Sequence, residues 1–394
     1  MKIRPIYFLL IIAAAAFILD LTGGIDQVII FILSAIGLIP LAKLIGEATE
    51  ELAIYTGPKL GGLLNATLGN AAELIITIIA IRAGLLDLVK ASITGSIIGN
   101  LLLVLGLSLL LGGMKHGTQI FNRRNAGVNA VLLVLSVAVL AIPSLFDRVM
   151  IERPESELLF SEGVAIIAIV VYGLSVVYTF TAKDLRTEHA GAHAKGEGHS
   201  AGEAGAAGGA SALQREPAEV HTARWTLQFS IIVLALATVG TALVSEVLIG
   251  AVEPVVEQLG LTEFFLGIII IPLVGNVAEH LVAVQVAIKN KMELSLAVSL
   301  GSSLQIALFV APVLVFVALL FDQRLLLVFT DFELIALFVS ALIASLIALD
   351  GESNWLEGAM LLALYLIIAL AFLLLPETGV HGEAAEGARV MLMH

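Results

Sequence analysis

Two glutamates stand where a charge is least welcome. Glu73 closes the run Gly69-Asn70-Ala71-Ala72-Glu73, and Glu279 closes Gly275-Asn276-Val277-Ala278-Glu279, 206 positions further on. Both runs lie inside long apolar stretches. An ionised carboxylate at the centre of a membrane costs roughly 2.5–3.5 kcal/mol on insertion scales, so an intramembrane carboxylate is a functional candidate. A single one is also explained by a protonated carboxyl tying two helices together; a matched pair is poorly explained that way. In each motif the Asn precedes the Glu by three residues, so on a helix both project from one face. The Gly before the Asn permits close backbone approach or a local break. A break frees carbonyl oxygens, tolerated at membrane depth only where they line a cavity or an ion site. Each motif therefore offers a carboxylate, an amide oxygen and backbone carbonyls, and the two together make an all-oxygen site.

Hard divalent cations need that chemistry. Calcium takes six to eight oxygens at about 2.3–2.6 Å in flexible geometry. The chain has no cysteine, and His280 is the only nitrogen ligand next to the motifs, which leaves manganese as a competitor and disfavours softer metals. Two carboxylates can hold one divalent cation or two protons, and mutually exclusive occupancy of one site is what antiport requires. Further polar atoms follow each motif: Ser96 and Asn100 after Gly95, and Ser302, Ser303 and Gln305 after Gly301. The serines suit close helix packing as well as a pathway lining. Asn100 and Gln305 are larger and costlier to bury, which favours the site. His280 fits a proton shuttle or a hydrogen-bonded packing residue.

The elements that must position these residues are membrane helices. Of the 394 residues 59% are apolar and 13% charged, against roughly a quarter charged in soluble domains. Segments such as Ile231–Val244 and Ile335–Leu349 contain no charge, and no strand-like alternation runs through them. Apolar runs give eleven expected spans, at 5–20, 26–48, 59–82, 85–112, 126–147, 157–182, 225–250, 259–288, 293–321, 331–350 and 355–375. The first, at 1–24, is an extra helix. Two five-helix repeats follow, at 25–182 and 225–376, with a linker at 183–224 and a tail at 377–394. The 206-residue offset also pairs Leu88 with Leu294, Ala91 with Ala297, and Gly95-Ser96 with Gly301-Ser302. An odd number of spans per repeat makes the second copy enter from the opposite side, so the repeats are inverted. Basic residues concentrate on one side of this layout, at Lys43, Lys115, Arg123, Arg124, Lys289 and Lys291 among others. The expected orientation is N-terminus in the cytoplasm and C-terminus outside.

The net charge of −13 argues against a nucleic-acid partner, which needs a basic face. No His-Glu-x-x-His or comparable nucleophile–base set appears, so an intramembrane enzyme is set aside. The linker is rich in Gly and Ala and carries His189, His193, His199 and His221. Their spacing matches no structural zinc pattern, and the composition suits a solvated tether. Deleting about 190–215 is expected to leave ion selectivity and turnover intact in transport assays; a folded deletion that lost calcium activation would make the linker a sensor.

Gly69-Asn-Ala-Ala-Glu-Leu with Gly95-Ser-Ile-Ile-Gly-Asn-Leu-Leu-Leu-Val-Leu-Gly106 resembles the first signature of the calcium/cation–proton exchanger family. Gly275-Asn-Val-Ala-Glu-His with Lys289-Asn-Lys-Met-Glu-Leu and Gly301-Ser-Ser-Leu-Gln-Ile-Ala-Leu-Phe-Val-Ala-Pro312 resembles the second. The resemblance implies calcium export driven by a proton gradient, with Glu73 and Glu279 alternately carrying calcium and protons. It implies support from Asn70, Asn276, Ser96, Ser302, Gln305 and His280. Its partners would be calcium ions, protons and the lipid bilayer, without a cofactor. The family often has a strongly acidic segment between its halves, which the mixed charges of 183–223 do not reproduce. A sodium–calcium exchanger is the nearest rival and a cation channel a more distant one. The compact length points to a prokaryotic plasma membrane, with an organelle membrane as the alternative.

Overall fold

A computed structural model describes residues 5–150, 154–196 and 223–374. The first half comprises α1 (Leu10–Thr22), α2 (Gln27–Leu68), α3 (Ala71–Arg82), α4 (Leu86–Ile98), α5 (Leu105–His116), α6 (Arg123–Met150) and α7 (Pro154–Gly196). The second comprises α8 (Leu227–Gly250), α9 (Val252–Leu259), α10 (Glu263–Phe265), α11 (Ile271–Gly275), α12 (Val277–Ile288), α13 (Met292–Gln305), α14 (Ala311–Leu319), α15 (Asp331–Asp350) and α16 (Trp355–Leu374). One antiparallel pair of two-residue strands joins Gln119–Ile120 to Glu352–Ser353.

Among the described residues, eight helices are long and apolar enough to cross a membrane, or nine when the pair Glu263–Gly275 and Val277–Ile288, bent by 62°, is taken as one span. Two of the eleven expected spans are not among these. Ile6–Thr22 is apolar but shorter, and the stretch expected at 59–82 is interrupted between α2 and α3. Gly57 (φ 79°) bends α2 sharply, a conformation that side chains with a Cβ resist. The expected linker also begins later than its composition suggests: α7 continues through Gly196, while 197–222, with His199 and His221, and the tail lie outside the described residues.

Three segments widen into π-helical turns: Gly99–Val104, Leu266–Ile270 and Ile306–Val310. The latter two directly precede Pro272 and Pro312. Proline has no N–H for the carbonyl four residues back and its ring crowds that carbonyl, so the turn before it opens. Pro272 thereby leaves the Ile268 carbonyl without its usual donor.

The packing follows the 206-residue offset. α2 runs along α8 and α6 along α15, each a pair that the offset relates; α12 lies on α5 as α3 lies on α14. One contact breaks this correspondence. α4 packs tightly on Leu266–Ile270, and a Cβ added at Gly95 would run into the Ile268 carbonyl. At the corresponding position in the second half, a Cβ on Gly301 would meet nothing within 4 Å. Gly95→Ala should therefore lower the melting temperature of the purified protein, at an overpacking cost of about 1–3 kcal/mol, whereas Gly301→Ala should leave it near wild type. Equal melting temperatures for both variants would refute the close approach at Gly95.

Candidate functional site

α3 and α12 both begin at the breaks the motifs suggest. The backbone leaves helical geometry at Asn70 (φ −95°, ψ 22°) and at Asn276 (φ −104°, ψ 6°). Each restart sets its glutamate in the first turn of a new helix, Glu73 in α3 and Glu279 in α12. The positive end of the backbone dipole lies there, close to where a carboxylate charge sits. The two breaks meet: a Cβ on Gly275 would be 3.5 Å from both Cα and Cβ of Glu73. The second break thus lies against the first turn of α3, at a distance that a Cβ would meet as an ordinary van der Waals contact.

A network crossing between the halves surrounds the carboxylates. Ser96 donates its hydroxyl to Glu73 Oε1, and Asn276 Nδ2 donates to Ser96 Oγ at 3.0 Å. On the other side Ser302 Oγ donates to Asn70 Oδ1 at 3.2 Å, and Asn100 Nδ2 donates to Ser302 Oγ at 3.1 Å. Asn70 Nδ2 donates to Gln305 Oε1 at 2.8 Å. Each motif's asparagine is therefore bonded to the serine of the opposite half. Asn70 has both ends of its amide engaged, its oxygen by Ser302 and its nitrogen by Gln305. By contrast, Glu73 Oε2 and Glu279 Oε2 are buried and have no hydrogen-bond partner among the described residues. Buried polar atoms normally find partners, and two orphaned carboxylate oxygens at adjoining helix breaks are suited to a cation or to protons.

A cavity of about 530 Å³ reaches this point from one end of the molecule. Its mouth carries Lys43, Glu47 and Glu50, and deeper it is lined by Gly69, Gly275, Glu279, Gly301, Ser302 and Gln305. The mouth is at the end where α5 and α12 finish, since Lys115 Nζ and His116 Nε2 both reach the Ile288 carbonyl, at 3.2 and 2.8 Å. Glu279 is half-buried and faces the cavity. Glu73 is 1% exposed and lies behind it. The other end is closed above Glu73 by α4 on Leu266–Ile270. The sequence-derived residues are thus gathered in one place, with two qualifications. Ser303 turns back to its own helix, donating to the Ser299 carbonyl at 2.9 Å. His280 is buried beside Glu279 with Nε2 unpartnered among the described residues, yet does not line the cavity.

Among the described residues no group of three or more His, Cys, Asp or Glu side chains converges as a metal cluster. One buried carboxyl escaped the reading of the sequence. Glu333, 2% exposed, accepts from Thr94 Oγ1 at 2.9 Å and from the Thr330 backbone N–H at 2.8 Å. Thr330-Asp-Phe-Glu333 before an apolar run is a capping-box pattern, the one sequence signal that could have pointed to it.

Comparison with known proteins places this geometry in context. The family model described as "Sodium/calcium exchanger protein" matches residues 27–181 and 229–374. The chain is 45% identical over 358 residues to a Ca(2+)/H(+) antiporter of Aphanothece halophytica, covering 90% of this chain and 93% of that one. It is 40% identical over 374 residues to the Ca(2+)/H(+) antiporter ChaA of Bacillus subtilis, covering 94% and 99%. The solved structure of native YfkE superposes with a TM-score of 0.75 at 38% identity, over 93% of this chain and all of that one.

Proposed function

The chain belongs to the sodium/calcium exchanger protein family, and we propose that it is a secondary active transporter that exchanges calcium for protons by alternating access at Glu73 and Glu279. The observation that carries this reading is the meeting of the two motifs. Two carboxylates from sequence-distant helix breaks adjoin, each with an oxygen unpartnered among the described residues, and one of them, Glu279, lines a cavity. A divalent cation entering past Lys43, Glu47 and Glu50 reaches Glu279 first. It completes its oxygen shell with Glu73 once the inter-half network rearranges. Protons arriving from the other side displace it. Ser96, Ser302, Asn70, Asn100, Asn276 and Gln305 hold the carboxylates in register, and His280 supports Glu279 from behind.

The family description names sodium and calcium. The relatives reported above, at 40–45% identity, are named for proton coupling, which favours protons over the sodium rival. Eleven spans in an extra helix plus two inverted repeats account for the nine long ones together with Ile6–Thr22 and the interrupted 59–82 stretch. The pairing of α2 with α8 and of α6 with α15 supports the inversion. With the basic ends inside, the cavity faces the cytoplasm. Counter-transport in proteoliposomes, with calcium, manganese, sodium and proton gradients imposed one at a time, tests the whole reading. Calcium movement driven by protons alone supports it; a strict sodium requirement, or calcium flux with no counter-ion, overturns it.

A further inference from the structure

The buried Glu333–Thr94 hydrogen bond belongs to neither the ion site nor the cavity; it joins α4 of the first half to α15 of the second and has no counterpart between the offset-related pair, α13 and α6. Thr94 lies on α4 immediately before Gly95 and two residues before Ser96. Glu333 lies in the first turn of α15, where its carboxylate closes the capping box with Thr330. Its Oε2 takes the Thr330 N–H at 2.8 Å and the Thr330 hydroxyl at 3.0 Å, which leaves Oε1 for Thr94 at 2.9 Å. A well-formed hydrogen bond between groups that are 2% and 0% exposed is costly to leave unmade in an interior. At the 206-residue offset Thr94 corresponds to Leu300 and Glu333 to Gly127, and neither can make the bond. Between α6 and α13 there is instead Asn125 Nδ2 on Glu293 at 2.9 Å, an exposed contact.

The α4 side, which has the bond, is the side that is closed. α4 lies against Leu266–Ile270, Leu88 is 1% exposed, and Gly95 abuts the Ile268 carbonyl. On the α13 side, without it, the corresponding Leu294 is 51% exposed and lines the cavity, and Gly301 faces open space. The geometry points to Glu333 as a positioning residue: through Thr94 it latches α4 in the closed position and biases the transporter toward the state open at the opposite end. This rests on the alternating-access reading above, but its test does not depend on which ions move.

The chain has no cysteine, so single cysteines report accessibility without background. Leu88→Cys probes the closed end and Leu294→Cys the open one, each alkylated by a small polar maleimide in the purified full chain. Thr94→Val removes the hydroxyl at nearly constant shape. It should raise the alkylation rate at Leu88→Cys by roughly tenfold and lower that at Leu294→Cys. Thr94→Ser, which restores a hydroxyl, and Glu333→Gln, which keeps an oxygen for the cap and a polar group for Thr94, should return both rates toward wild type. Opposite changes at the two reporters, with that rescue, support the latch. Unchanged rates, or a rise at both reporters as general loosening would give, overturn it. The alkylation step needs neither calcium nor a proton gradient, so the latch and the exchange reaction can fail separately.

Discussion

Glu73→Gln and Glu279→Gln should each abolish calcium–proton exchange while leaving a folded, membrane-inserted protein. Glutamine keeps the shape and one carbonyl oxygen of the side chain but loses the charge and the exchangeable proton. Ser96 can still donate to it, so the network around Glu73 has no reason to collapse. The site nevertheless loses half of its negative charge. A single remaining carboxylate is a poor match for a hard divalent cation, which is held in proteins largely by carboxylates. The site also has one fewer group on which calcium and a proton can compete. The measurement is calcium uptake into proteoliposomes under an imposed proton gradient, with size-exclusion profiles and melting curves confirming the fold. Wild-type transport by either variant would remove that glutamate from the mechanism.

Calcium binding to the purified protein should release protons, and apparent affinity should rise with pH. The sign follows from competition for the same oxygens. Where a carboxyl carries a proton, calcium must displace it, and raising the pH removes the competitor. Each proton displaced strengthens apparent binding by up to tenfold per pH unit, and two protons by up to a hundredfold, until the empty site is fully deprotonated. The dependence flattens above that point. Titration calorimetry in buffers of different ionisation heat reads the proton count directly. Identical enthalpies in all buffers, with an affinity that ignores pH, would mean that calcium and protons do not share the site.

The chemistry was more legible in this sequence than the architecture. A Gly-Asn-x-Ala-Glu run in an apolar setting is expensive, and its recurrence at a fixed offset has few explanations. The pair therefore led to helix breaks that the structure places at Asn70 and Asn276. Span lengths were harder to read. Hydropathy cannot distinguish a straight helix from two half-helices, so 59–82 and 259–288 read as plain spans. The bend at Gly57 and the opened turns before Pro272 and Pro312 have local causes in a glycine and two prolines, which a count of apolar residues does not register. The linker's composition hid a helix that continues to Gly196, because Ala-rich sequence is permissive of helix even where it cannot bury a core. Least legible were contacts between the halves. That Asn70 would bond Ser302 and Gln305, and that Thr94 would find Glu333, follows from how the halves cross and from no spacing along the chain.

Gly95 and Gly301 have the same residue type and opposite surroundings, one wedged against a carbonyl and the other beside open space. If the halves exchange roles during the cycle, each position is crowded only in the state where its own side is shut. A methyl group at Gly301 then costs nothing in the resting molecule, yet it obstructs the conformation that must follow. Screens that rank substitutions by heat resistance would pass such a variant as harmless. Its defect would appear only as a slower return stroke, so the tolerance of a residue in this fold has to be judged over the whole itinerary of states.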